Sequence, residues 1–408
     1  MLVETSRENP PLSVLLVSPE YPPMAGGVGR YTFHLKEKLV ELGYIVHVVC
    51  DKRGNGEFSG IYQQNPRNSE ILLELVERIN PDIVHVQYEP GLYGLRLDML
   101  NPTKTRTNID SFYKSCKVPI VTTFHSAYPF RQWMNLPIPI YERQNDNYFV
   151  KKAKRVISFW TRLLNYHSFH NLNKEKLGQS AAGIAFSQFM SRTLGNQGCN
   201  VIYHGAERQD YSSGRSKIDL RASYSLPPDG RIALALGYAT ATKGWDVIDK
   251  MDIPEGWTIV INASKNEYSQ EDCPVGVNKK NLIKLHWDYL NEKQLCELFS
   301  CADAVILPYK VSSGSGIMFD AMSYGLPFIA TRLGFFVEFA VAGLGVAVDR
   351  NPKEFSGAMV YLDKNYDRYV VKISEFKLKL NWKQVAKEHA VLYHQVVAAR
   401  KKVQTVTV

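Results

Sequence analysis

Short apolar runs alternate with amphipathic segments along the first half of the chain. The runs are short enough to be strands buried on both faces, and they lie at residues 13–18, 45–50, 83–87, 119–123 and 183–186. Segments with helical periodicity separate them, at residues 30–42, 70–79 and 188–194. This alternation of strands and helices predicts a parallel, doubly wound α/β sheet.

A second series of the same kind follows a polar interruption. Residues 207–230 are polar and are broken by a Ser-Ser-Gly and a Pro-Pro sequence, which indicates a linker or a domain boundary. Further predicted strands lie at 232–236, 257–262, 282–285, 305–307 and 328–330, and the tail at 382–402 is predicted to be one amphipathic helix. Because 408 residues exceed one ordinary core, we expect two domains, 1–207 and 208–381.

A glycine-serine turn separates the predicted strand 305–307 from a helix predicted at 317–324. The turn consists of Ser312, Ser313, Gly314, Ser315 and Gly316. It presents free backbone N–H groups at the positive end of the helix, which predicts an anion site that extends to Ile317. Asp320 lies one turn further on and can reach hydroxyls on the molecule that carries the anion, so a phosphorylated sugar suits both. The alternative is an ordinary strand–turn–helix unit without a ligand.

Two other loops have the same strand–loop–helix form. The loop at 19–29 contains Gly26 and Gly27, which let the backbone approach a ligand closely. The loop at 237–244 begins with Gly237 and Tyr238 and contains Lys243, whose charge can neutralise a diphosphate. A plain turn and an ordinary surface lysine are the alternative interpretations.

Polar side chains follow two of the predicted strands in the first half. His125 comes directly after strand 119–123, at the edge where ligands bind in open α/β sheets. Tyr88 and Glu89 follow the preceding strand and either contact an acceptor or cap the loop. A structural role is the alternative for His125.

Charge and cysteine usage narrow the class of protein. A net charge of +9 suggests attraction to anionic substrates or a membrane surface and does not require nucleic acid. Basic and aromatic residues mixed at 151–170 fit anionic lipid or an acidic acceptor, or else form a solvated helix face with aromatics turned inwards.

The six cysteines have neither Cys-x-x-Cys nor metal-ligand spacing, which indicates a reducing compartment. With neither a signal peptide nor an apolar run of about 20 residues, we expect a cytoplasmic protein, at most peripheral to a membrane.

An ordered set of motifs spans most of the chain. The motifs are Ser18-Pro-Glu-Tyr-Pro-Pro with Gly26-Gly27-Val28-Gly29, Pro81-Asp-Ile-Val-His-Val, Phe124-His125-Ser126, His204-Gly205, Gly237 with Lys243-Gly244, Asp320-Ala-Met-Ser-Tyr-Gly-Leu-Pro-Phe-Ile-Ala, and Gly334 with Glu338. In these motifs and their order the chain resembles the large retaining glycosyltransferase family 4, whose members have the GT-B fold of two Rossmann-like domains.

The resemblance implies a nucleotide-sugar donor, such as a UDP- or GDP-sugar, on the second domain and a glycan or lipid-linked acceptor on the first. It implies that Lys243 contacts the donor diphosphate, that Gly26 and Gly27 close over it, and that His125 lies near the transferred sugar. It also implies transfer of a hexosyl group with retention and without a metal or other cofactor. The terminal helix, 382–408, is expected to return to the first domain.

Two departures from the family pattern concern the donor. Tyr238 stands where the family often has an arginine beside the diphosphate. Asp320 matches the second of two family glutamates, near the ribose, but the first falls among Ser312 to Gly314, where no carboxylate is available. A catalytically impaired nucleotide-sugar binding protein would explain both departures. The other alternative, a sugar-nucleotide epimerase, would need carboxylates in the cleft, and the missing glutamate counts against it. The retained His125, Lys243 and glycine loops favour the transferase.

Overall fold

The structure is a computed structural model that describes residues 12–96, 105–136, 147–195, 199–209, 211, 214–265, 275–276 and 279–406. A first parallel sheet has the strand order β3-β2-β1-β4-β5-β6-β7. Its strands are β1 (Ser13–Val17), β2 (Ile45–Cys50), β3 (Phe58–Ser59), β4 (Ile83–Tyr88), β5 (Ile120–Phe124), β6 (Ala182–Ala185) and β7 (Cys199–Val201). The inner strand β1 pairs Val14 with Val46 on one side and with Ile83 on the other.

A second parallel sheet has the strand order β10-β9-β8-β11-β12-β13. Its strands are β8 (Arg231–Tyr238), β9 (Trp257–Ser264), β10 (Leu282–Lys284), β11 (Ala304–Leu307), β12 (Phe328–Thr331) and β13 (Gly345–Val348). Every residue of β4, β5, β11 and β12 is buried, as strands covered on both faces must be. The predicted α/β class with two doubly wound sheets is therefore confirmed.

Helices cover both faces of each sheet. They are α1 (Gly27–Glu41), α2 (Asn68–Ile79), α3 (Asp110–Ser115), α4 (Phe130–Trp133), α5 (Tyr148–Gln179), α6 (Gln188–Leu194), α7 (Lys217–Ser223), α8 (Trp245–Lys250), α9 (Glu292–Cys301), α10 (Gly316–Ser323), α11 (Gly334–Val341), α12 (Pro352–Lys364), α13 (Tyr366–Phe376) and α14 (Trp382–Val406). Strands β3, β7 and β13 and helices α3, α4, α7 and α11 to α13 were not predicted. They are short or lie in segments without a clear apolar period.

The polar interruption at 207–230 contains a helix. Ser216 and Asp219 form a capping box that starts α7. The buried Arg221 on this helix donates to the carbonyl of Cys301 at 3.0 Å and to the carboxylate of Asp303 at 2.8 Å. This segment therefore packs with the second sheet.

The terminal helix α14 packs against α1 beside the first sheet. Its buried His389 meets the hydroxyl of Tyr31 on α1 at 3.1 Å, and its Tyr393 meets Nδ1 of His85 on β4 at 2.6 Å. The chain therefore returns to the domain in which it began.

Candidate active site between the two domains

A cavity of about 210 Å³ lies where the carboxyl ends of the two sheets face each other. Its lining comes from both domains: Gly26, Gly27, Arg30, His204, Leu236, Gly237, Tyr238, Lys243, Ser264, Tyr289, Leu290, Leu295, Gly316, Ile317 and Asp320. Eight residues predicted to bind a donor are in this set, namely Gly26, Gly27, Gly237, Tyr238, Lys243, Gly316, Ile317 and Asp320. The fold therefore brings three separate loops of the sequence to one place.

The two glycines of the first loop have different surroundings. A Cβ atom on Gly26 would lie 2.0 Å from Oε2 of the buried Glu20, so a side chain there requires the Glu20 carboxylate to move. A Cβ atom on Gly27 would meet no atom within 4 Å. Gly26 thus leaves room for the Glu20 carboxylate, whereas Gly27 presents open space to the cavity.

The glycines of the second loop determine where Lys243 lies. Gly244 has φ of +76°, and a Cβ atom there would lie 1.8 Å from the carbonyl oxygen of Pro308. A Cβ atom on Gly237 would lie 3.3 Å from Cε of Lys243. The Lys243 ammonium lies 4.0 Å from the ring centroid of Tyr309, a cation–π contact that steadies it beside the cavity.

The glycine-serine turn is only partly accessible from the cavity. Ser315 caps α10 by accepting from the backbone N–H of Met318 at 3.3 Å. Ser312 and Ser313 are buried, and the N–H of Ser312 donates to Oε1 of Gln132 on α4 at 2.7 Å. Donor contacts predicted for Ser312, Ser313, Gly314 and Ser315 therefore do not fit the cavity lining, which this turn joins only at Gly316 and Ile317. The N-terminal end of α10 faces the cavity as predicted.

Arg30 on α1 crosses the cleft and was not among the predicted site residues. Its Nε and Nη2 donate to the two carboxylate oxygens of Glu292 at 2.9 and 2.8 Å, and its Nη1 donates to Oδ2 of Asp320 at 2.7 Å. Asp320 therefore already has a charged partner from the other domain. Asp320 could be recognised in the sequence by its place one turn after the glycine loop. Its contact with Arg30 could not be inferred, because the two residues are 290 positions apart.

Burial and charge act against each other in this ion cluster. Burial raises the pKa of the Asp320 carboxyl, and Arg30 beside it opposes that effect. Burial acts likewise on Glu292, but the hydrogen bonds and charge of Arg30 prevail and lower its pKa. Although burial alone would favour a neutral guanidine, the charges of Asp320 and Glu292 raise the pKa of Arg30 well above its ordinary value. Arg30 thus remains a cation between two carboxylates.

His125 lies behind the cavity wall rather than among the lining residues. Its Nε2 donates to Oε1 of Gln87 at 2.9 Å, which fixes the ring. The ring packs edge-on against Tyr31 and Phe186, with centroids 5.4 and 5.2 Å away. Burial lowers the pKa of His125 to about 3, so the imidazole is neutral at pH 7.

His204 occupies the position between that network and α10. Its ring stacks on Phe319 at 5.8 Å, and its Nδ1 donates to the carbonyl of Gly205 at 2.7 Å. Nε2 lies 3.5 Å from the position of a Cβ atom on Gly316. Burial lowers the pKa of His204 to about 4. The His204-Gly205 motif was recognised in the sequence without a role, and the structure places this histidine at the cavity.

The two predicted acceptor residues differ in accessibility. Tyr88 is fully buried, with its ring against Tyr93, Tyr113 and Phe124. This packing argues against a contact between Tyr88 and an acceptor. Glu89 is half-buried, and burial raises the pKa of its carboxyl. Among the residues that the structure describes, no group of three histidine, cysteine or acidic side chains is arranged to hold a metal ion.

A family resemblance in sequence covers much of the first domain. Residues 25–210 match the family model of Glycosyltransferase Family 4. An uncharacterized glycosyltransferase of Methanocaldococcus jannaschii is 25% identical to this chain, and the match covers 94% of this chain and 98% of the relative.

Solved structures share the whole architecture. Sucrose-phosphate synthase from Thermosynechococcus elongatus matches with a TM-score of 0.65 at 15% identity, over 95% of this chain and 100% of that one. Anabaena HepE in complex with UDP-glucose matches with a TM-score of 0.59 at 11% identity, over 96% of this chain and 100% of that one. The two domains thus have the GT-B fold, and the chain is a glycosyltransferase that resembles family 4.

Proposed function

We propose that the protein transfers a hexosyl group from a UDP- or GDP-sugar to a glycan or a lipid-linked acceptor, with retention of configuration. The cavity between the domains carries this proposal. It combines Lys243 and the N-terminus of α10 from the second domain with the loop of Gly26 and Gly27 from the first. A nucleoside diphosphate has a compact double charge that fits such a set of donors. HepE, one of the similar structures, contains UDP-glucose, which supports a donor of this class.

The diphosphate is assigned to the space between Lys243 and the start of α10. Lys243 offers a full charge, and the backbone N–H groups near Gly316 offer oriented dipoles. Since Tyr238 supplies no charge at the family's arginine position, Lys243 is the principal cation of this wall. The ribose is assigned to Asp320, whose Oδ2 is bound by Arg30 and whose Oδ1 can accept a hydroxyl.

In the transfer step the bond between the sugar C1 and the diphosphate oxygen breaks, and a bond forms between C1 and the acceptor oxygen. The acceptor's proton goes to the departing phosphate oxygen on the same face of the sugar. Lys243 and the α10 N-terminus stabilise the charge that develops on the leaving phosphate. His125 is neutral at pH 7 and lies behind the cavity wall, so its role is to position that wall through Tyr31 and Phe186, which also contact His204, rather than to add charge.

A ligand panel tests the proposal. Thermal shift with UDP, GDP, ADP and their sugars identifies the base, and donor hydrolysis and transfer to candidate acceptors follow. We expect one nucleotide family to raise the melting temperature and its sugar to be consumed. No stabilisation by any nucleotide would overturn the assignment. Binding without consumption would favour the impaired binding protein, and conversion to an isomeric nucleotide sugar would favour the epimerase.

A further inference from the structure

The first half of α5 has polar side chains turned towards the protein and large apolar side chains turned outwards. Ser158, Thr161 and Asn165 are buried, at 7%, 4% and 0% exposure. The outward side chains, which we call the outer face of α5, are Val156, Ile157, Phe159, Trp160, Leu163 and Leu164, each at least 36% exposed. A helix that covers a globular core has the opposite arrangement. A contiguous exposed apolar face of this kind marks an interaction surface.

Hydrogen bonds on the inner side fix this orientation. The hydroxyl of Thr105 donates to Oδ1 of Asn165 at 3.2 Å, and Nε1 of Trp133 donates to the carbonyl of Arg162 at 2.7 Å. Arg162 in turn donates from Nη1 to the carbonyl of Met134 at 2.5 Å. Rotating the helix to bury its apolar side would break these bonds. Phe159 and Trp160 are therefore not core residues, which excludes for these two aromatics the alternative considered from the sequence.

The charges around the outer face have one sign. The sequence contains neither aspartate nor glutamate between Tyr148 and Lys174. The exposed Lys152 and Arg155 lie one helical turn before Val156 and Phe159, at the margin of the apolar face. Aromatic and aliphatic side chains flanked by cations are the combination that binds at the interface of an anionic membrane.

We propose that the outer face of α5 binds the surface of a membrane that contains anionic lipids. A symmetric contact with a second copy of this chain is less favourable, because residues 148–174 of that copy offer no carboxylate to pair with Lys152 and Arg155. In the described part of the chain no helix is long and apolar enough to cross a membrane. The helix therefore lies in the plane of the interface with its apolar side in the lipid.

This surface is connected to the cleft through α4. Trp133 on α4 stacks on Phe169 of α5 at 4.4 Å, and the neighbouring Gln132 accepts from Ser312 in the turn that precedes α10. Membrane binding would thus bring the cleft close to a lipid-linked acceptor. That consequence rests on the proposed function, whereas the binding surface itself does not.

Vesicle flotation of the full chain tests the proposal. The vesicles contain phosphatidylcholine alone or with phosphatidylglycerol. We expect the wild type to float with the anionic vesicles, less so at high salt. W160S/L163S should reduce the bound fraction by about tenfold or more, and K152E/R155E should abolish the preference for phosphatidylglycerol. V341S/L378S is the matched control, because it removes two side chains that are 84% and 71% exposed on the other domain.

Two further measurements keep the outcome decisive. Trp160 fluorescence, taken as the difference between wild type and W160F, should be quenched by brominated phosphatidylcholine in anionic vesicles. Thermal shift with the cognate nucleotide should be unchanged in all variants, which separates this surface from the donor site. The proposal would be overturned if the wild type did not float or if W160S/L163S floated equally well. It would also be overturned if the wild type bound no vesicles and instead formed a dimer that W160S/L163S dissociates.

Discussion

In the cleft wall from the second domain, glycines, a helix N-terminus and Lys243 face the cavity. The first domain contributes Gly26, Gly27, Arg30 and His204 to the lining, and His204 belongs to a layer of neutral histidines packed among aromatic rings, which we call the histidine wall. His125, His204 and Tyr31 form one contact network, with ring centroids 5.1 to 5.4 Å apart. In the wall from the second domain, Lys243 and the start of α10 are partly exposed to the cavity, so changes there should act on ligand binding. The histidine wall is part of the core, so changes there should act on stability and geometry as well.

Acid should have the largest effect on the molecule, and it acts through the histidine wall. Burial lowers the pKa values of His125, His204 and His389 to about 3, 4 and 4 from the ordinary 6.5. The unfolded chain therefore binds more protons, and the stabilisation present above pH 6.5 is lost as the pH falls towards 4. At pH 5 the loss is about 2 kcal/mol for each histidine, or roughly 6 kcal/mol in sum. Urea unfolding at pH 7 and pH 5 measures it.

The variant His389→Gln sharpens this test, because His389 on α14 is not among the residues that line the cavity. Its loss of stability between pH 7 and pH 5 should be smaller than that of the wild type by about 2 kcal/mol. Equal free energies of unfolding at the two pH values would show that these histidines are not held neutral by burial.

His125→Ala should impair transfer far more than nucleotide binding. The residue is fixed by Gln87 on the acceptor side, so we expect turnover to fall on the order of 10²-fold while nucleotide affinity stays within about twofold. Steady-state kinetics and calorimetry measure the two quantities, with the exposed His286→Ala as the control. An equal loss of both, or a collapse of the melting temperature, would assign His125 to structure alone.

Lys243→Ala should have the opposite signature. The loss of one charge-assisted hydrogen bond weakens nucleotide binding by about 1.5 to 3 kcal/mol, or roughly 10- to 150-fold, with the fold intact. Calorimetry with the cognate nucleotide is the measurement, and Lys250→Ala, an exposed lysine on α8, is the control. Unchanged affinity would remove Lys243 from the donor site.

The adjacent glycines of the first loop allow the smallest but most specific test. Gly27→Ala places a methyl group in open cavity space and should weaken nucleotide binding several-fold without lowering the melting temperature. Gly26→Ala forces a methyl group against Glu20 and should lower the melting temperature. Thermal melts with and without nucleotide compare the pair. If the two variants behave alike, the loop does not approach the donor as proposed.

Local patterns in the sequence were sufficient for much of the fold. The bounds of β2 and α6 agree with those predicted, and most other predicted strands agree within one or two residues, because short apolar runs and caps are local signals. Gly237, Lys243 and Gly316 could be assigned to one site, since loops at the carboxyl ends of parallel strands must meet at the same edge.

Contacts between distant segments decided the rest. Arg30 reaches Asp320 only because two sheets face each other across a cleft. The N–H of Ser312 donates to Gln132 on α4, a contact between segments that lie far apart along the chain. Phe159 and Trp160 point outwards because Asn165 and Arg162 find polar partners on neighbouring elements. The sequence by itself determined which segments become strands, helices and glycine loops, since those depend on near neighbours along the chain; which side chains face the cavity or the solvent was decided by tertiary packing.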